Sequence, residues 1–200
     1  MAKLPVILIY TRLALGFFLI CLSISRIPDY AYIAVALTIF GLLTDIFDGI
    51  IARKLGVSTQ RLRRLDSSVD QVFFISVAIA TYIQCPEFFK TNMMKLIILF
   101  STEGLAYLIC YLKFKKEIAT HTIGAKIWTL LMVATLLQIM LQCESGILFQ
   151  LFFWVGMVTR IEIIAILFIL KQWAHDIPSV YQAIQIRRGI NIKRHKWLNG

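Results

Sequence analysis

Residues 44–71 read TDIFDGIIARKLGVSTQRLRRLDSSVDQ, a run that sets Asp45, Asp48, Asp66 and Asp70 and five basic residues between stretches apolar enough to lie in lipid. An ionised carboxylate that leaves water is costly unless a cation meets it. The chain around this run makes the cost real. It has 200 residues, of which 59% are hydrophobic, against about 45–50% in a soluble domain, and its mean hydropathy is +0.78. A membrane-spanning helix needs about 20 mostly apolar residues. Six such segments run near 6–24, 31–52, 67–84, 92–112, 123–142 and 147–172, joined by short polar connections. The pattern predicts an all-α integral membrane protein built as a six-transmembrane-helix bundle. No small-residue cleavage site follows the first segment, which therefore reads as a retained helix and not a signal peptide.

Lysine and arginine sort to one side, and basic loops resist translocation. Arg53, Lys54, Arg61, Arg63 and Arg64 lie between the second and third segments, and Lys113, Lys115, Lys116 and Lys126 between the fourth and fifth. Lys171, Arg187, Arg188, Lys193, Arg194 and Lys196 follow the sixth, while the opposite side holds Arg26, Lys90 and Lys95. Both termini are therefore expected in the cytoplasm. The net charge of +10 carries no nucleic-acid motif with it. Anionic membrane lipids are the simpler partner, at about 1 kcal/mol per basic residue near the surface.

On a helix, residues three, four and seven apart share a face. Asp45, Asp48, Gly49 and Ala52 thus form one stripe at the end of the second segment, and Asp66 and Asp70 one at the start of the third. With a connection of about a dozen residues the two helices pack as antiparallel neighbours, which turns the stripes toward each other. A salt-bridge network with Arg53 and the loop arginines is the plainer reading. Carboxylates without cysteine or histidine also suit hard cations such as Mg²⁺, Mn²⁺ or Ca²⁺, and four of them at this spacing can hold two ions, a layout for phosphate chemistry. Gly49 and Ala52, small among Ile, Phe and Leu, leave room beside them; close helix packing is the competing use of such residues.

Asp45-Ile-Phe-Asp48-Gly49-Ile-Ile-Ala52-Arg53 followed by Asp66-Ser-Ser-Val-Asp70 resembles the signature of the CDP-alcohol phosphatidyltransferase family: D-x-x-D-G-x-x-A-R, eight residues, Gly, three residues, D-x-x-x-D. Leu62 stands at the second glycine, where the family leaves space near the nucleotide, and Gln71 replaces the lysine that often follows the last aspartate. The resemblance implies transfer of a phosphatidyl group from a CDP-linked lipid such as CDP-diacylglycerol to an acceptor alcohol, with release of CMP. It implies Mg²⁺ or Mn²⁺, two ions, held by Asp45, Asp48, Asp66 and Asp70; contact of Asp48, Gly49, Ala52 and Arg53 with the CDP portion; Asp70 as catalytic base; and a homodimer. Residues 1–175 would then be the six-helix catalytic domain and 176–200 a basic cytoplasmic juxtamembrane tail. The site would face the cytoplasm, in a bacterium from the inner membrane.

Charged residues inside the apolar segments are candidates for handling the acceptor. Arg12 follows Pro5 much as in the family's first helix. Glu103 interrupts the fourth segment, and Arg160 and Glu162, two apart, point to different faces of the sixth. Buried ion pairs tying helices together are the plainer account of all four. Gly124, Lys126 and Thr129 resemble a G-K-x-x-T stretch of the branch that uses glycerol phosphate, which favours glycerol 3-phosphate as acceptor. His121, His175 and His195 receive no role. The four cysteines, Cys21, Cys85, Cys110 and Cys143, lack zinc-site spacing and read as small buried apolar side chains; Cys85 and Cys143 fall on one side, which leaves a disulfide open. Two other functions compete: an aspartate-motif prenyltransferase, and a catalytically silent scaffold that binds lipid or nucleotide, for which Leu62 is the best argument.

Overall fold

The computed structural model describes residues 4–25, 27–57, 59–116, 122–174 and 177–190. Among them the chain forms eight helices and no strand: α1 (Leu4–Ile24), α2 (Tyr30–Lys54), α3 (Gln60–Gln84), α4 (Pro86–Thr91), α5 (Met93–Phe114), α6 (Ile123–Gln142), α7 (Ile147–Ile169) and α8 (Val180–Arg187). The six long helices overlap the six apolar segments, closely except at the start of α3. Five of them, α1, α2, α5, α6 and α7, are long and apolar enough to cross a membrane. The helix α3 has 25 residues, about 37 Å at 1.5 Å per residue, but the run from Gln60 to Gln71 is polar. His121, His175, His195 and the basic residues of the tail beyond Ile190 lie outside the described residues.

One expectation fails at the turn between α2 and α3. The third helix starts at Gln60 and not near 67, because Thr59 caps it: the Leu62 N–H donates to Thr59 Oγ1 at 3.2 Å, satisfying one of the free donors of the first turn. On the other side Gly56, at φ +67°, closes α2. Its N–H donates to the Arg53 carbonyl and that of Val57 to the Ala52 carbonyl, the paired bonds of a Schellman ending that favours glycine. The connection is therefore much tighter than a dozen residues. Asp66 and Asp70 sit in the second and third turns of α3, not at its start.

The chain divides into two compact units, Met1–Phe89 with Leu136–Glu144 and Lys90–Thr135 with Ser145–Gly200. In the first, α1 packs along both α2 and α3. Its buried face is Pro5, Ile9, Arg12, Gly16, Leu19 and Ser23, alternately four and three residues apart as one helical stripe requires. A methyl group on Gly16 would stand 3.2 Å from the Ser76 side chain, and one on Gly41 would run into the Phe73 ring. Both glycines let the helices close on each other, as small residues do in membranes. The buried stripe of α2 runs Tyr30, Ala34, Thr38, Gly41, Thr44, Asp48 and Ala52, so Asp48 continues the core face. At the far end Cys85 is bonded to Cys143, which settles the pairing the sequence left open. Cys110 is a buried free thiol as expected, whereas Cys21 is exposed.

In the second unit α5 and α8 both pack on α7. Ala106 and Cys110 meet Ile163 and Leu167, and Ile166 and Leu170 meet Ile177 and Ala183. Lys113 Nζ donates to the carbonyls of Leu167 and Phe168 at 2.8 and 3.1 Å, a cation on the electronegative end of α7. The short helices α4 and α8 carry too few residues to show a periodicity in sequence.

Candidate active site

Three carboxylates converge in the first unit. Oxygens of Asp45 and Asp48, a turn apart on α2, and of Asp66 on α3 all lie within 4.8 Å of one another. A divalent cation takes carboxylate oxygens at about 2.0–2.6 Å, so one ion can reach all three. Oxygen-only donors also match a hard cation in kind. Asp48 is almost wholly buried at 2% exposure, while the side chains of Asp45, Asp66 and Asp70 keep 41%, 30% and 30%. The cluster is thus anchored in the core and open on one side.

The unforeseen member is Arg12 of α1. Its guanidinium pairs with all four aspartates: Nη1 lies 2.9 Å from Asp45 Oδ1 and 3.1 Å from Asp66 Oδ1 and also meets Asp70, while Nη2 meets Asp48. Arg12 is 1% exposed, and its Nε has no partner. The sequence offered this residue either to the acceptor or to an ion pair between helices; the fold pairs it with the aspartates. The signal that could have found it is the α1 stripe, which puts Arg12 one turn before Gly16, where α1 packs tightly on Ser76 of α3.

Beside the carboxylates, Ala52 is buried, and the Arg53 guanidinium folds back along Gly49. Among the described residues, a methyl group on Gly49 would meet only that guanidinium, at 3.7 Å and beyond, unlike one on Gly16 or Gly41. Leu62 is half-buried in the first turn of α3, and its backbone N–H makes the capping bond to Thr59.

The other internal charges form a separate group in the second unit. Arg160 of α7 pairs with Glu103 of α5, and its guanidinium lies 3.7 Å over the Trp128 ring of α6, a cation–π contact. Trp128 fills the space over Gly156, where a methyl group would come within 2.6 Å of its Nε1. Glu162 faces away from this group, toward Gly124. Lys126 is exposed near the start of α6.

A comparison with known families matches residues 2–183 to the CDP-alcohol phosphatidyltransferase family. No curated protein and no solved structure matches the chain. Members of this family are divalent-metal-dependent transferases of substituted phosphate groups, moving a phosphatidyl group from a CDP-alcohol to an acceptor alcohol. With the signature intact at every aspartate and the match running through all but the last residues, the chain belongs to the CDP-alcohol phosphatidyltransferase family.

Proposed function

We propose that this protein transfers the phosphatidyl group of a CDP-linked lipid such as CDP-diacylglycerol to an alcohol, glycerol 3-phosphate in our reading, and releases CMP. Asp45, Asp48, Asp66 and Asp70 hold two Mg²⁺ or Mn²⁺ ions, which when bound spread the charge that grows on the diphosphate as it breaks. Gly49, Ala52 and Arg53 meet the CDP portion, with Arg53 supplying a fixed cation to its phosphates. Asp70 takes the proton of the acceptor hydroxyl while that oxygen bonds to the phosphatidyl phosphorus and the bond to the CMP oxygen breaks. The observation that carries the reading is the convergence of three carboxylates from two helices beside Gly49, a glycine that no contact among the described residues requires.

The lipid donor has its chains in the bilayer and its head in water, so the site belongs at a membrane surface. We place it on the cytoplasmic side, with six spans, both termini inside, and a homodimer as the assembly. Besides the lysine and arginine distribution, the disulfide supports this: Cys85 closes the end of α3 opposite to Asp66 and Asp70, and disulfides persist in oxidising compartments. Residues 1–175 would form the catalytic part and 176–200 a membrane-surface segment. A cleft of about 340 Å³ lined by Lys171, Trp173 and Arg187, among others, gives anionic lipid headgroups a place at the end of α7.

The test is CMP release by the purified full chain from CDP-diacylglycerol, across a panel of alcohols, with Mg²⁺ or Mn²⁺ and with EDTA. The reading expects release that needs both an acceptor and a divalent ion, glycerol 3-phosphate giving the fastest turnover. Metal-dependent binding of CDP-diacylglycerol with no release for any alcohol would leave the silent scaffold instead.

A further inference from the structure

We propose that Arg12 competes with the divalent cations for the four aspartates: its guanidinium contacts all four carboxylates, and a bound ion must draw them away from it. The inference rests on the reading of this cluster as the metal site and goes beyond it by giving a residue of α1 control over affinity. An ion bound to Asp45, Asp48 and Asp66 must lie within the small space their oxygens enclose. Nη1 of Arg12 already contacts Asp45 Oδ1 at 2.9 Å and Asp66 Oδ1 at 3.1 Å, and Nη2 holds Asp48. A guanidinium and a dication cannot share the same oxygens at contact distance, because like charges repel strongly where water is scarce.

Arg12 and a bound ion therefore oppose each other over the same four carboxylates. Arg12 has little freedom to leave, being 1% exposed and carried on the stripe that packs α1 against α2 and α3. That confinement makes the competition effective, since the guanidinium stays close to the ions it opposes. The same contacts offset the repulsion among four carboxylates carried on α2 and α3. Arg12 is thus a positioning residue for the ligands and the determinant of how much cation is needed to fill them.

The experiment is a Mn²⁺ titration of the full chain in nanodiscs, read by the electron paramagnetic resonance signal of free Mn²⁺, for wild type, Arg12→Gln and Arg12→Lys. Thermal unfolding in EDTA and in saturating Mn²⁺ accompanies it. Arg12→Gln should bind Mn²⁺ about tenfold or more tightly than wild type, unfold at lower temperature in EDTA, and gain more from Mn²⁺ than wild type does. A purely structural arginine would move affinity the other way. Equal or weaker Mn²⁺ binding by Arg12→Gln, with wild type binding normally, overturns the inference and leaves the metal site standing. Absence of Mn²⁺ binding by wild type overturns both. Should Arg12→Gln not fold, Arg12→Lys decides: its compact charge reaches fewer of the four carboxylates, so tighter binding than wild type supports competition and equal or weaker binding overturns it.

Discussion

Arg12 and Arg160 are both buried in helices long enough and apolar enough to cross a membrane, yet Arg12 faces four carboxylates and Arg160 faces one. Around Arg160 the charges balance one to one among the described residues, although its Nε, like that of Arg12, has no hydrogen-bond partner there. Glu103 balances its charge, the Trp128 ring covers its face, and Gly156 makes room for that ring. Around Arg12 the charges do not balance: with every carboxylate ionised, one guanidinium against the four aspartates it contacts leaves a surplus of three negative charges in that group. Two like charges about 4 Å apart repel by roughly 4 kcal/mol at an effective dielectric near 20, so such a surplus is a standing cost. Divalent cations remove it. Charge stoichiometry, and not the mere presence of an intramembrane arginine, separates a structural tie from a cluster that could hold a cation.

The largest expected effect of a single substitution falls on the unbalanced cluster. Asp70→Asn removes the proposed base while Asp45, Asp48 and Asp66 keep their three-oxygen arrangement. CMP release should fall by about 10²–10⁴-fold, with Mn²⁺ still bound and the melting temperature little changed. Turnover at the wild-type rate would take Asp70 out of the reaction. The balanced pair should respond in the opposite register. Glu103→Gln leaves Arg160 buried without its counter-charge, a loss of about 3–5 kcal/mol in stability, read as a lower melting temperature. Replacing both, Glu103→Leu with Arg160→Met, should restore most of it. If Glu103→Gln instead raised the KM for the acceptor with unchanged stability, the comparison would break, and Arg160 would belong to substrate binding.

The glycines repeat the contrast on a smaller scale. Gly41→Ala pushes a methyl group into the Phe73 ring, and overpacking of this kind costs about 1–3 kcal/mol. Gly49→Ala meets only the flexible end of Arg53, so its stability should stay within about 0.5 kcal/mol of wild type. Its metal-dependent binding of CDP should weaken, because the methyl group enters the space proposed for the nucleotide. Calorimetry with CDP and a melting curve on both variants separates the two outcomes. A destabilised Gly49→Ala with normal CDP binding would return Gly49 to packing.

How these parts could be seen in advance depended on the physical range of each signal. Hydropathy over twenty residues is a long signal, and α1, α2, α5, α6 and α7 fall where it puts them. The first turns of α3 defeat it, because Arg61, Leu62, Arg64 and Leu65 show no apolar face against lipid, although Gly56 and Thr59 mark the stop and the start. Asp45, Asp48 and Asp66 share a site that helical spacing and a short turn could bring together. Arg12 could not be joined to them that way, being brought in by the tertiary packing of α1 on α3 across a separation of 54 positions from Asp66. The Cys85–Cys143 bond, 58 residues apart, is legible only as two cysteines on one side until the fold closes.

The smallest effect expected is at Leu62, where the chain departs from its family's glycine. The capping bond from this position comes from the backbone N–H, so Leu62→Gly keeps it and gives up helix propensity worth about 1 kcal/mol at most. What changes is the half-buried side chain one turn before Asp66. If that side chain crowds the nucleotide, removing it should tighten CDP binding several-fold in the presence of Mn²⁺, up to about tenfold for 1.4 kcal/mol, with little change in Mn²⁺ affinity. Unchanged CDP binding in a variant that still binds Mn²⁺ would mean that Leu62 points away from the nucleotide and that the glycine of the signature serves the turn. The carboxylates and the nucleotide pocket would then be separable in this chain, the metal positions held by charge and the base-side pocket free to vary in shape.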